Sequence, residues 1–228
     1  PPPSPPPPPP PTDTRPWSSA ASDVYKRQVQ GLAGAREVGA DVLRALRKAC
    51  NDSGTVLIFD EVQCGCGRTG AFTAAQAYGV TPDILTLAKG LAAGLPMGAV
   101  LLSPRVAKQV AQGDLGTTFG GGPMASVAAA ANLEVIRDEG LAGRARELER
   151  RLRRGLADLP SVTTINGRGL MLGLALDRPA RPVQLRLFER GILVGSANDP
   201  AVIRLLPPLV LSEEEADTFL TTLHEVLA

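Results

Sequence analysis

Histidine is nearly absent: His224 is the only one in 228 residues. Serine and cysteine hydrolases work their nucleophile through a histidine base, so that class is disfavoured. His224 itself reads as a helix-surface residue. Cysteine is scarce too. Cys50, Cys64 and Cys66 are too few for a disulfide framework. Cys64-x-Cys66 has the spacing of half a metal site, but no second cysteine pair exists to complete it, and the pair reads as loop thiols. A net charge of +1 offers no field of one sign for nucleic acid or an anionic membrane. No apolar run reaches the roughly 20 residues of a membrane span. A basic start followed by an apolar segment is also lacking, so the expected setting is cytoplasmic.

Proline, by contrast, is concentrated. Eleven of the 21 prolines fall within residues 1–16. Such a run favours extended polyproline II and packs no core. Residues 1–28 are therefore expected to be a disordered, non-native leader, the alternative being a ligand for SH3-like domains. The remaining chain is expected to divide into 29–130, part of a large α/β domain, and 131–228, a small α+β domain.

From Val29 the pattern becomes periodic. "VLRALRKACNDSG" (42–54) has helical spacing and a glycine stop. "TVLIFD" (55–60), "DILTLA" (83–88) and "MGAVLLS" (97–103) are β-branched, apolar runs that predict strands buried on both faces of a largely parallel sheet. Only residues 89–96 join the last two. A parallel crossover needs a dozen residues or more, so this pair is expected to be antiparallel. Two glycine-rich loops follow strands, at 60–72 and 114–123. Pro123 opens a long alanine-rich helix that ends at Gly140. "LAGRARELERRLRRGLADL" is an amphipathic helix. Acids interleave with its arginines and aromatics do not, so its charges read as a solvated face rather than a nucleic-acid patch. "VTTING" and "LMLGLAL" predict strands around a turn at 167–169. "VQLRLFERG" predicts a helix, and "ILVGS" and "VIRLL" two further strands. "SEEEADTFLTTLHEVL" opens with Ser212 and Glu215 at capping-box spacing. Met97, Met124 and Met171 read as packing, and Arg68 as a structural hydrogen-bonder.

Ligands of open α/β sheets sit beyond the carboxyl ends of the strands. Asp60 ends one strand and Lys89 follows another. Either they form a structural ion pair, or a carboxylate and an amine converge on one crevice. A desolvated lysine is a nucleophile toward carbonyls, and an aspartate facing a pyridinium keeps that ring protonated. With glycine loops and the Thr117 and Thr118 hydroxyls for a phosphate, the set suits pyridoxal 5′-phosphate.

"LIFDEVQCGCGRTGAF", "YGVTPDILTLAKGLAAGLPMGAVLLS", "GTTFGGGP" and "IRLLPPLVLSEEE" closely resemble blocks of the class III, fold type I aminotransferases, in the same order. Lys89 stands 29 positions after Asp60, and Thr118 a further 29 on. The resemblance is strongest to the acetylornithine and ornithine branch, and runs from about Val29 to the C-terminus. It implies a partial fold type I large domain followed by a small domain, resembling the C-terminal half of such an enzyme. It also implies pyridoxal 5′-phosphate and a homodimer with shared sites. The implied reaction transfers an ω-amino group, most simply from N-acetylornithine to 2-oxoglutarate as in arginine biosynthesis. The alternatives are ornithine, 4-aminobutyrate or lysine-pathway donors, an aminomutase, or an inactive fragment. By the same resemblance, Lys89 binds the cofactor and shuttles a proton, and Asp60 pairs with the ring nitrogen. Gln63 contacts the ring hydroxyl, Thr118 reaches the neighbouring subunit's phosphate, and Arg204 clamps the substrate carboxylate. On the residues alone, the alternatives are an ordinary loop amide for Gln63, a turn cap for Thr118 and a surface cation for Arg204, the last opposed by the apolar run "VIRLLPPLV" around it.

Two departures stand out. The family's phosphate loop and ring-stacking aromatic have no counterpart here. Leu32 stands in "VQGLAGA" where ornithine-type members carry a glutamate, which puts alternation between donor and acceptor in doubt.

Overall fold

The structure, a computed structural model, describes residues 24–25, 29–118 and 120–228. In chain order the first elements are Val24–Tyr25 (β1), Val29–Gln30 (β2), Arg36–Glu37 (β3), Ala40–Ser53 (α1), Ile58–Asp60 (β4), Ala74–Tyr78 (α2) and Ile84–Leu87 (β5). A 3-10 turn, Lys89–Ala92, leads to Ala99–Leu102 (β6), Pro104–Ala107 (α3) and Pro123–Asp138 (α4). Then come Leu141–Ala157 (α5), Val162–Arg168 (β7), Met171–Leu176 (β8), Ala180–Glu189 (α6), Gly195–Ser196 (β9), Val202–Leu205 (β10) and Glu213–Leu227 (α7).

Two four-stranded sheets result. The first runs β1-β4-β5-β6. Its β1–β4 and β4–β5 pairs are parallel, and β5–β6 is antiparallel, with Ile84 opposite Leu102 and Leu87 opposite Ala99. The short 89–96 connection forces that reversal. The second sheet runs β7-β8-β10-β9 and is antiparallel throughout. A small antiparallel hairpin, β2–β3, packs on it: a Cβ on Gly173 would lie 2.0 Å from the Gly34 carbonyl oxygen, so backbone meets backbone there.

The helix boundaries follow local chemistry. Gly54 takes a left-handed φ of 72° and closes α1. Pro123 starts α4 at a position where its missing N–H costs nothing. Ser212 and Glu215 make both hydrogen bonds of a capping box at the head of α7.

Buried apolar residues form two clusters. One gathers Leu43, Leu57, Phe59, Leu87 and Leu91 with Ala129 and Ile136 of α4. The other gathers Leu148, Leu152, Leu156, Leu172, Leu174 and Leu223. Met171 of β8 packs into the first cluster and so ties the two together.

Several expectations are corrected. Val24 and Tyr25, placed in the disordered leader, pair with Ile58 and Phe59; the rest of residues 1–28 lies outside the described residues. The run 55–60 is ladder-paired only from Ile58, the residue at which both β1 and β5 begin to pair with it. Strand β6 is not buried on both faces: Val100 is 63% and Leu101 49% exposed, and among the described residues β6 is an edge strand. The run 192–196 narrows to β9, which pairs only with Ile203 and Arg204. Met124 is 76% exposed and packs no core. The arginines of α5 are not simply solvated. Arg151 bridges Glu213 and Asp217 of α7 at 2.6 Å each, Arg144 donates to the Leu211 carbonyl, and Arg146 donates to the Gly70 carbonyl. Long guanidinium stems reach across to neighbouring elements, and the charged heads find acceptors there.

Candidate functional site

Parallel pairing of β4 with β5 sets Asp60 opposite Thr86 at the carboxyl end of the sheet. Lys89 follows three residues later. The Asp60 carboxylate accepts from the Val62 amide at 3.1 Å and from the Thr86 hydroxyl at 3.3 Å. Those bonds orient it at the strand end. The chain then turns into the 60–72 loop. Most of that loop is buried, contrary to an open phosphate cradle. Glu61 accepts from the Ala74 and Ala75 amides at 2.6 and 2.7 Å and anchors α2. Burial pushes its carboxyl up from the ordinary value, while those two amides pull it down. Arg68 donates to the carbonyls of Leu170 and Pro207, which pins the loop to the second sheet. Burial lowers the Arg68 pKa.

Lys89 begins the 3-10 turn with φ of 49°, in the left-handed region. A side chain with a Cβ is strained there, and such strain persists only when the surroundings impose it. Lys89 is exposed rather than desolvated; it stands at the wall of an open cleft. That cavity, about 450 Å³, is lined by Lys89, Gln63, Cys66, Arg68, Asn132 and Leu206 among others. Gln63 lies over the Gly31 backbone: a Cβ on Gly31 would sit 1.8 Å from its Oε1. Any side chain at position 31 would displace the amide.

The remaining expected residues are not gathered into this cavity. Asp60 is not among the residues lining it. Thr118 is exposed on the loop before α4. Arg204, on β10, donates through Nε to the Ser196 carbonyl and lines a separate, largely apolar cavity of about 720 Å³ with Ile192, Leu205 and Phe219. Leu32 is 60% exposed on the β2–β3 turn, and its carbonyl accepts from the Asn198 amide at 2.8 Å. The three cysteines are free and buried. Burial, foremost, pushes the Cys64 and Cys66 thiols up, and the Glu61 charge adds to it. They are poor nucleophiles.

Sequence reasoning missed Asn132 and Gly31. Asn132 donates through Nδ2 to the carbonyls of Gly90 and Leu91, at 2.7 and 3.1 Å. An asparagine interrupting an alanine-rich helix was the available signal. Gly31 carried none beyond its residue type.

As chemistry, an amine at the wall of a cleft can reach an aldehyde held there, although the desolvation that would activate it is not provided by the described residues. A carboxylate at the adjacent strand end suits a pyridinium, and an amide suits a ring hydroxyl. These groups fit the ring and aldehyde of pyridoxal 5′-phosphate. Among the described residues, no group lining this cavity supplies a dedicated phosphate cradle.

Comparison with known proteins gives the same direction. The chain is 46% identical over 193 residues to acetylornithine aminotransferase 1 of Bordetella pertussis, covering 83% of this chain and 49% of that protein. It is 42% identical over 202 residues to the acetylornithine aminotransferase of Methanocaldococcus jannaschii, covering 87% and 50%. The crystal structure of acetylornithine aminotransferase from Elizabethkingia anophelis superposes with a TM-score of 0.82 at 31% identity, covering 88% of this chain and 55% of that one. The chain thus spans about half the length of the curated relatives it matches. The family model "Aminotransferase class-III" matches residues 24–227, and the chain belongs to that pyridoxal-phosphate-dependent family.

Proposed function

We propose that this chain carries the lysine-bearing half of an aminotransferase that moves an ω-amino group from N-acetylornithine to 2-oxoglutarate. The observation that carries the reading is Lys89, held at positive φ just past β5 and facing the cleft. Pyridoxal 5′-phosphate, when bound, supplies the electron sink for the reaction. Lys89 holds it and moves the proton at the reacting carbon. Asp60, fixed by Val62 and Thr86, holds the ring proton. Gln63 orients the ring from above Gly31. The cavity lined by Arg204 shares Leu206 with the Lys89 cleft, and in this reading its guanidinium, with Nε anchored on Ser196, takes the substrate carboxylate there. Thr118 is exposed and outside the Lys89 cavity; by the family resemblance it serves the phosphate of the other subunit in a homodimer. Three free cysteines agree with a reducing, cytoplasmic setting.

The test is borohydride trapping of the full chain with pyridoxal 5′-phosphate, followed by peptide mapping. The expected pyridoxyl tag is on Lys89 and vanishes in Lys89→Ala. A tag distributed evenly over the other lysines overturns the reading. The donor is then assigned by comparing N-acetylornithine with ornithine and 4-aminobutyrate in a full-length protein.

A further inference from the structure

The 3-10 turn carrying Lys89 is short, Lys89–Ala92. Leu91 N–H donates to the Ala88 carbonyl at 3.1 Å, and Leu95 N–H to Ala92 at 3.0 Å. A turn this short leaves carbonyls without a partner inside it. Both Lys89 and Ala93 are held at positive φ. Something outside must impose that geometry.

The outside group is on α4. Asn132 Nδ2 has two N–H donors, and they meet two carbonyls of the turn, those of Gly90 and Leu91. Asn132 also lines the cavity beside Lys89. Its choice is locally unfavourable: it follows Ala128, Ala129, Ala130 and Ala131, where another alanine would make a better helix by about 0.5 kcal/mol. Helix propensity does not select it; the two carbonyls do. Serine would bring one donor and alanine none. Aspartate would set carboxylate oxygens against carbonyl oxygens.

We propose that Asn132 is a positioning residue for Lys89, fixing the turn so that the amine faces the cleft. The inference rests on the role assigned to Lys89 above. It involves no contact between Asn132 and the reacting atoms.

The experiment compares wild type, Asn132→Ala and Asn132→Asp as full chains, with two readouts. One is borohydride-trapped pyridoxyl labelling of Lys89, normalised to Lys48 and Lys108 in the same sample. The other is hydrogen exchange at the Leu91 amide. Expected is a several-fold loss of normalised Lys89 labelling in the alanine variant and about tenfold in the aspartate variant, with faster Leu91 exchange in both. Labelling within twofold of wild type in a folded variant overturns the proposal, even if Leu91 exchange rises, because Asn132 would then serve only helix packing. Should the aspartate variant unfold, the alanine variant decides alone. Should wild-type Lys89 label no better than Lys48 and Lys108, the cofactor reading fails. The positioning inference rests on that reading and falls with it.

Discussion

At the scale of single residues, the cost of presenting Lys89 can be separated from its chemistry. Lysine at φ 49° is strained by its Cβ, and glycine is not. Alanine removes the amine but keeps the Cβ. Lys89→Gly should therefore be more stable than Lys89→Ala by about 1 kcal/mol, read as a higher urea midpoint at equal slope. Both should lose the pyridoxyl tag. Equal midpoints would mean that the left-handed turn is not strained. The position of Lys89 and Asp60 after their strands was legible, because strand ends follow from apolar runs. The exposure of Lys89 was not, since it depends on Gly90, Ala93 and the distant α4. Gln63 was legible as a motif residue, but its seat over Gly31 was not, because that contact joins residues 32 positions apart in the chain.

Between elements, the first sheet is tied down at one carboxylate. Asp83, at the start of β5, accepts from Arg47 of α1 at 2.8 Å, Arg105 of α3 at 3.1 Å and the Leu57 amide at 2.9 Å. Burial alone would push the Asp83 carboxyl up. The Leu57 amide and the two guanidinium groups outweigh it and hold the carboxyl below its ordinary value. A depressed carboxylate contributes stability that is present above its unfolded value of about 4, and that stability is lost as pH falls through the folded value. Asp83→Asn should cost about 3 kcal/mol at pH 7, because Arg47 is left with its charge poorly compensated. The gap from wild type should narrow as pH drops below about 4, measured by thermal melting across pH. A gap independent of pH would locate the loss in packing instead. This network was invisible in the sequence: Arg47 and Arg105 lie 36 residues before and 22 after Asp83's own segment, and nothing periodic relates them. What was legible at this scale were features set within a few residues, such as the antiparallel β5–β6 pair, the glycine stop of α1 and the capping box of α7. The exposed faces of β6 were not, since an apolar strand reads the same at an edge as in the middle of a sheet.

For the whole molecule, the question is how two cores behave as one body. The second cluster has its own antiparallel sheet and three helices. The first is joined to it through the β2–β3 hairpin, through Arg146 on the Gly70 carbonyl and through the Arg68 loop. Arg68 donates to Leu170 and Pro207, and the Leu170 amide donates back to the Arg68 carbonyl at 2.9 Å. Gly169 touches the same loop so closely that a Cβ would lie 2.5 Å from the Arg68 oxygen. Pro207 follows Arg204 by three residues, so the junction also sets how the strand bearing Arg204 meets the cleft of Lys89. Arg68→Met keeps the apolar stem and removes the donors. Losing a charged donor to buried carbonyls costs about 1.5–3 kcal/mol, and here that loss falls on the coupling between cores rather than on either core. Hydrogen exchange at β4 and β5 should then speed up about tenfold or more relative to β8 and β10, while in wild type both sheets open together. A variant in which both sheets accelerate equally would make the junction incidental, and the molecule one cooperative core that only looks divided.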